Sequence, residues 1–337
     1  MQGCPALRQA ICQHLKSFRN IEADYDQIII GAGSEILYNF ILQLLGTNHI
    51  YAVENPGYHK IYKVFTSLGA KCAAINIDKS GILIDQLEKS NARTVHVTPS
   101  HHFPTGIVMP IKRRLELLAW ASAAPSRYII EDDYDSEFRF MSRPIEPLFV
   151  TDRNSRVIYM NTFTKSLAPS FRISYMVLPK PLLALFKQNL NFYSSTVSAV
   201  EQFTLASFIN QGFFSRHVIK MKNYYRSVRN FLIAELQNSK IKSQIEILEE
   251  NSGLHFLLNI KSGKSASQLK EDLAQNGINA KLLQEYFYNS SDSSDFFSLP
   301  KAGAAPDAKN QAAFVINYSG IQIEDIKQIV ERIEKSL

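Results

Sequence analysis

Residues 5 to 19 carry apolar side chains at Leu7, Ala10, Ile11, Leu15 and Phe18 with polar ones between, the 3.6-residue period of an amphipathic helix. Ile28-Ile29-Ile30 then runs into Gly31-Ala32-Gly33-Ser34, and Ile36, Leu37, Phe40, Ile41, Leu44 and Leu45 restore helical spacing. A strand, a tight glycine turn and a helix are predicted there. Comparable units follow: a strand at 50–53 with a helix near 59–68, a strand at 94–97, a helix near 111–122 before a strand at 128–130, and a strand at 156–160. Short β-rich runs alternating with longer helices predict right-handed crossovers and a largely parallel sheet covered on both faces. In such sheets the ligand crevice lies outside the carboxyl ends of the strands. The unusual polar residues sit at those ends, at 33–34, 55–58, 100–106, 131–135 and 162–165.

Beyond about residue 180 the pattern becomes helical, at 182–192, 197–210 and 214–238, followed by a strand at 253–258, a helix near 266–275 and a late strand at 314–318. The expected division is an N-terminal helix over 1–25 packing on the small domain, a large ligand-binding α/β domain over 26–210, and a smaller α+β domain over 211–337. A long helix is expected to cross the second boundary. Polar and small-residue stretches at 289–295 and 301–310 are expected to be surface loops. There are no internal repeats.

Composition sets limits on this picture. A chain of 337 residues, 45% hydrophobic and 20% charged, with 14 Gly and 13 Pro, is that of a folded two-domain protein and excludes a disordered, collagenous or coiled-coil chain. Cys4, Cys12 and Cys72, with no Cys-x-x-Cys, argue against a disulfide framework or a zinc ribbon, and a reducing cytoplasm is expected. The longest apolar runs, such as 182–186, fall far short of the roughly 20 residues of a membrane span. Arg8, His14, Lys16 and Arg19 are mixed through the first turns, unlike a signal peptide. The net charge of +6 is scattered, and no basic stripe or helix-turn-helix pattern stands out as a reader of nucleic acid.

Three sets of residues carry candidate chemistry. The turn at Gly33-Ser34-Glu35 places free backbone N–H groups and the positive end of a helix dipole together, a seat for phosphate, although it lacks the spacing of a Walker loop or a dinucleotide fingerprint. Residues 131–137 hold five carboxylates in seven positions. These acids suit a divalent cation, acid/base chemistry, or one buried anion facing a cationic ligand group. After the strand at 156–160 come Thr162, Thr164 and Lys165, with Arg172 seven positions past the lysine. Desolvation at a crevice mouth makes a lysine amine a nucleophile toward carbonyls, and the two hydroxyls and the guanidinium fork suit a phosphate. Together the sets describe an aromatic aldehyde bearing a phosphate and a basic ring nitrogen, which is pyridoxal phosphate.

Three blocks, Thr98-Pro-Ser-His-His-Phe-Pro-Thr-Gly106, Ile130-Glu-Asp-Asp-Tyr-Asp-Ser-Glu-Phe138 and Asn161-Thr-Phe-Thr-Lys-Ser-Leu-Ala-Pro169, resemble fold type I pyridoxal-phosphate proteins. More narrowly, they resemble the aminotransferase-like effector domain of MocR/GabR-type transcriptional regulators of the GntR superfamily. The resemblance runs over essentially the whole chain. It implies a large domain with a mostly parallel seven-stranded sheet and helices on both faces, a smaller α+β C-terminal domain, and a homodimer. It implies that Lys165 holds pyridoxal 5'-phosphate as an internal aldimine, that Asp132 pairs with the pyridine nitrogen, and that Tyr134 hydrogen-bonds the ring 3-oxygen. Tyr58 would stack on the ring, His101 would support the site with His102 beside it, and Gly33, Ser34, Glu35, Thr162, Thr164 and Arg172 would hold the phosphate. No metal is expected, and Cys72, Asp133 and Asp135 are expected to serve packing and loop hydrogen bonding.

The arginine that usually forks onto a substrate α-carboxylate is absent from the late strand, where Ser319 or Gly320 stands in its place, and Phe103 replaces the usual asparagine before Pro-Thr-Gly. Lys60 or Arg139 is a candidate substitute. The residues expected to face an effector are Lys60, Phe103 and Ser319. The chain opens in a helix-forming segment where regulator members continue from a winged-helix domain, which favours a sensor of a small amine-bearing effector that reaches DNA only through such a domain. The alternative is a catalytically active class I/II aminotransferase acting on an amino acid.

Overall fold

A computed structural model describes residues 2–140, 145–168, 170–249, 253–288 and 311–337. The stretches at 289–295 and 301–310, expected to be loops, lie outside the described residues. The large sheet contains β1 (Ile28–Gly31), β2 (Ile50–Asn55), β3 (Lys71–Asp78), β4 (Gly81–Ile82), β5 (Ala92–Val97), β6 (Tyr128–Asp132), β7 (Val157–Thr162) and β8 (Ser174–Val177), in the spatial order β1-β8-β7-β6-β5-β2-β3-β4. Strands β3, β2, β5, β6 and β7 run parallel, while β8 lies antiparallel between β7 and β1. The eighth strand beyond the expected seven is the two-residue β4, which folds back antiparallel on β3.

Helices cover both faces, as the buried runs require. Along β6 and β7 successive side chains alternate: Ile130 and Ile158 pack with Leu37, Ile41 and Phe65, whereas Ile129 and Val157 pack with Leu117, Trp120 and Ala121. The first set comes from α2 (Ser34–Leu45) and α3 (His59–Ser67), and the second from α5 (Ile111–Ser122), which follows α4 (Ile84–Lys89). Of two single-turn helices, α6 (Leu148–Thr151) packs on β7 and α7 (Phe163–Ser166) contributes to the cavity, and α8 (Lys180–Asn189) packs on α2.

The N-terminal helix α1 (Pro5–Arg19) was expected on the small domain, but it packs on the large one. Its buried stripe of Leu7, Ala10, Ile11 and Leu15 meets Ile28, Ile30, Tyr175 and Val177 of β1 and β8, together with Leu205 and Ala206 of α9 (Ala199–Asn210). The reason is geometric: these two strands bury both faces, and the apolar stripe covers the face that α2 leaves open.

The long helix α10 (Phe213–Asn238) crosses the lobe boundary. Phe214 and Val218 belong to the core under α1, while Val228, Leu232 and Leu236 belong to the core of the small lobe. Burying each such side chain contributes about 1.5–3 kcal/mol. The small lobe has an antiparallel sheet, β11-β12-β10-β9, made from β9 (Ile245–Leu248), β10 (His255–Lys261), β11 (Lys281–Leu282) and β12 (Gln311–Asn317). It packs against α10, α11 (Ala266–Gln275) and the C-terminal helix Ile326–Ser336. No helix among the described residues is long and apolar enough to cross a membrane.

Candidate functional site

One cavity of about 290 Å3 lies at the carboxyl ends of β5, β6 and β7 and is closed on one side by the small lobe. Ser34, Glu35, Tyr58, Lys60, Phe103, Asp132, Tyr134, Thr162, Thr164, Lys165 and Arg172 all line it. Residues predicted from five separate strand ends therefore meet in one place, and the volume is near the lower end for small-molecule sites.

At one end the chain builds an anion seat. Gly33 adopts φ +93, and a Cβ there would stand 2.6 Å from Arg172 Nη2 and 2.7 Å from Glu35 Oε2, so only glycine lets the turn pass beneath the guanidinium. Ser34 opens α2, whose first N–H groups have no partner within the helix. The Thr162 hydroxyl donates to Thr164 Oγ1 at 2.9 Å and accepts from Ser174 Oγ at 2.9 Å, which groups three hydroxyls beside the helix end. Arg172 Nη2 donates to both oxygens of Glu35, at 3.1 and 3.0 Å, and Lys60 pairs with the same carboxylate. Burial alone would raise the Glu35 carboxyl, but the hydrogen bond from Lys60 and the charge of Arg172 hold it below the usual range. Glu35 thus presents a carboxylate as well as its backbone, and Lys60 joins this cationic end.

Asp132 closes β6 opposite Met160 of β7, which sets its carboxylate on the cavity floor. Two partners that the sequence did not reveal hold it there. Tyr38 of α2 donates to Asp132 Oδ2 at 2.9 Å, and the same hydroxyl lies 2.9 Å from His96 Nε2, itself 3.6 Å from Asp132. Burial, then the Asp132 charge, lifts the Tyr38 phenol well above its usual range, so it remains a donor. Tyr58 is half exposed at the mouth and meets Phe103 edge-on, with ring centroids 5.6 Å apart. Lys165 projects from α7, where the Thr162 hydroxyl accepts from the Thr164 N–H and caps the turn. Lys165 lines the cavity wall.

The small lobe contributes Leu254, His255 and Asn317. The last two are paired in register across β10 and β12, which brings them to the same edge. Asn317 lines the cavity and Ser319 does not: the Ser319 hydroxyl instead donates to Asn317 Oδ1 at 2.7 Å. Arg139 is buried and is also absent from the lining. Nor does His101 reach the cavity wall; it sits one layer behind, between Asp135 and Tyr134. His102 is bonded to Thr105 at 2.7 Å, and burial and the neighbouring imidazoles push it down to about 3, which keeps it neutral.

The remaining acids of the 131–137 run are structural. Asp133 takes a fully buried ion pair from Arg19 and a hydrogen bond from Tyr159 at 2.8 Å. Glu131 accepts from the N–H groups of Leu148 and Phe149 at 2.8 and 3.0 Å, which anchors α6. Asp132 and Asp135 are the two acids of the run that line the cavity beside Tyr134, and Asp135 is also paired with His101.

A two-lobed α/β fold with an amine, an acid and an anion seat in one crevice defines the class, and the profile of the aminotransferase class I and II family matches residues 1–333. The chain belongs to that family. It is 39% identical over 272 residues to the uncharacterized HTH-type transcriptional regulator YdeL of Bacillus subtilis, covering 81% of this chain and 58% of the relative. It is 34% identical over 333 residues to the regulator YhdI of the same organism, covering 99% and 67%. To the probable rhizopine catabolism regulatory protein MocR of Rhizobium meliloti it is 29% identical over 327 residues, covering 97% and 62%. The chain thus spans roughly three fifths to two thirds of the length of these relatives. Among solved structures, an archaeal alanine:glyoxylate aminotransferase superposes with a TM-score of 0.81 at 22% identity, over 99% of this chain and 80% of the other. A Pyrococcus horikoshii kynurenine aminotransferase, solved with PMP, gives 0.78 at 21% identity over 99% and 80%. The fold is that of the fold type I aminotransferases.

Proposed function

We propose that this chain is the effector-sensing domain of a MocR-type transcriptional regulator, binding pyridoxal 5'-phosphate through Lys165 and reading a small amine-bearing effector in the same crevice. The observation that carries this reading is the convergence of Lys165, Asp132, Tyr134 and the Gly33–Arg172 seat on one cavity. The donor set fits the cofactor family members use: an amine for its aldehyde, a carboxylate for its ring nitrogen, and a helix end, hydroxyls and a guanidinium for its phosphate. When bound, the cofactor supplies an electrophilic aldehyde carbon and an electron-withdrawing ring.

This chain's residues do the rest. Asp132, held by Tyr38 and His96, keeps a proton on the ring nitrogen. Tyr134 would hydrogen-bond the ring oxygen, its proton turning from the His101 carbonyl, Tyr58 would cover the ring face, and Ser34, Thr162, Thr164 and Arg172 would take the phosphate. Asn317 and Lys60 are among the polar cavity groups left to meet an effector. Neither supplies the bidentate fork that orients an α-carboxylate, and loss of that orientation disfavours efficient turnover. The reading therefore places γ-aminobutyrate-like, taurine-like or dipeptide amines, or the cofactor itself, ahead of a plain α-amino acid. Contact with DNA belongs to the part of the regulator relatives that this chain does not span. Exposed Phe192, Val200, Phe203 and Ile219 provide apolar surface for a homodimer.

A second reading, an active aminotransferase, draws support from 23% identity over 349 residues to the aromatic-amino-acid aminotransferase 1 of Thermococcus litoralis. Incubation with amino acids and keto acids separates the two. A stoichiometric change of the visible spectrum without turnover supports sensing; sustained formation of keto-acid product supports the enzyme. A visible band that borohydride fixes in the native chain and that is absent in Lys165→Ala supports the attachment point, and the same band in Lys165→Ala rejects it.

A further inference from the structure

Behind Tyr134, side chains from both lobes meet in a buried cluster that the cavity contacts do not account for. Asp135 Oδ2 lies 2.9 Å from His101 Nδ1. The Tyr134 hydroxyl donates to the His101 carbonyl at 3.1 Å and stands 3.2 Å from the same Nδ1. From β10 of the small lobe, the His255 ring packs on His101 with centroids 4.2 Å apart. Gly253, two residues earlier, passes so close that a Cβ there would stand 1.8 Å from His101 Cε1. The small-lobe backbone therefore fixes the imidazole in place.

Each contact constrains the next. A carboxylate only accepts, so Asp135 assigns the proton of His101 to Nδ1 and fixes the ring plane. The His101 carbonyl then accepts the Tyr134 proton, and the Nδ1–H, directed chiefly at Asp135, lies 3.2 Å from the same phenol oxygen. His255 is kept neutral: burial first, then the neighbouring imidazoles and Lys165, drive it well below its usual range, so it packs on His101 without charge repulsion. The Nε2 atoms of both histidines are buried without a hydrogen-bond partner among the described residues. That arrangement persists only because packing across the lobe boundary enforces it.

We propose that Asp135, His101 and His255 form a clamp across the lobe boundary that positions the Tyr134 hydroxyl, so that the phenol is aimed into the cavity only while the small lobe is seated. His101 and His255 act as positioning residues, and the effect on a bound cofactor rests on the function proposed above. The same three side chains also offer ligand atoms within 4.8 Å of one another, the one such grouping among the described residues. A tetrahedral cation would hold nitrogen and oxygen roughly 3.3 Å apart, from bonds of about 2.0–2.1 Å. The observed 2.9 Å and the packed rings are instead the geometry of a hydrogen bond and a stacking contact.

Nuclear magnetic resonance of the cofactor-free chain labelled with 15N-histidine tests the clamp directly. The expected result is an Nδ1–H tautomer for His101, whose proton signal disappears in Asp135→Asn and moves in Tyr134→Phe and His255→Phe. His255→Gln serves as the second variant should the phenylalanine fail to fold. An Nε2–H tautomer, or a signal indifferent to these changes, overturns the proposal. So does stoichiometric zinc binding that replaces the Nδ1 proton, which would make the cluster a metal site. In the loaded protein, Asp135→Asn and His255→Phe should both move the pH midpoint of the visible band by about one unit, a tenfold change in proton affinity; unmoved midpoints with full cofactor occupancy count against it. Absence of any Lys165-dependent band would instead refute the cofactor reading, and the resonance experiment would still decide the clamp.

Discussion

Arg19 Nε lies 2.8 Å from Asp133 Oδ2, and neither side chain retains more than 1% of its surface. The last residue of the N-terminal helix thus reaches the loop that carries Asp132 and Tyr134, and a second guanidinium nitrogen bonds Ser100 on the 98–106 loop at 3.1 Å. Breaking a buried pair from one side leaves an uncompensated charge and costs about 3–5 kcal/mol. Asp133→Asn and Arg19→Met should each lower the denaturation midpoint to that extent, while the double change to Met and Leu should recover a large part of the loss. Denaturant titration of the three variants checks this.

The same pair predicts acid sensitivity. Burial alone would raise the Asp133 carboxyl, but Arg19 and the hydrogen bonds of Ser100 and Tyr159 hold it below the usual range. A depressed folded-state value means that its contribution is complete above the unfolded value near 4 and is lost as pH falls through the folded one. Stability measured below about pH 4 should therefore drop more steeply in the native chain than in Asp133→Asn.

Glu137 gives the opposite slope. Its Oε2 is buried without a hydrogen-bond partner among the described residues, and burial, reinforced by Asp133, raises its carboxyl to about 8. The folded state then binds more protons than the unfolded chain between about pH 4.5 and 8, so stability falls across that window as pH rises, by at most about 1.4 kcal/mol per unit. Glu137→Gln should flatten this slope and gain on the native chain toward pH 8. Equal slopes in parallel thermal melts would refute the assignment.

Gly33→Ala should act on the anion seat more than on the fold. The added methyl would displace Arg172 and Glu35 and force a non-glycine residue to positive φ, at about 1–3 kcal/mol. Cofactor affinity should weaken by tenfold or more, an amount worth about 1.4 kcal/mol, with the lobes still folded. A titration of the visible band against circular dichroism of the same sample separates the two effects.

Tyr38→Phe removes the donor to Asp132 and should cost about 0.5–1.5 kcal/mol of stability while changing the pH dependence of the bound chromophore. Asp132→Asn should weaken cofactor binding further, because the charge itself is lost. A Tyr38→Phe spectrum that follows the native one at every pH would show that Asp132 needs no such support.

Much of this site was legible because strand ends are punctuated. The glycine turn at 33, the acid run at 131–137 and the Thr-Phe-Thr-Lys segment each interrupt a buried β run, and each lies at the cavity. What stayed hidden depends on distant pairing. Tyr38 reads as one more large side chain on the apolar face of α2, and His96 as a polar residue inside a buried strand; only the sheet order brings them to Asp132. Arg19 looks like a cation at a helix end, where it would suit the helix dipole, until the packing of α1 on the large sheet carries it inward. Ser174–Val177 lacks the glycine turn that marks the equally short β1, yet its antiparallel pairing with β7 aligns Ser174 with Thr162. Ser319 was placed by analogy with an arginine, whereas the register His255↔Asn317 puts the asparagine at the rim.

The continuity of α10 limits how the lobes can move. Its 26 residues form a rod about 39 Å long whose opposite ends are cemented into different hydrophobic cores. A hinge on such an axle favours swinging over sliding, and the tip of the arm travels furthest. Any rotation about that axle moves a residue of the small lobe in proportion to its distance from it.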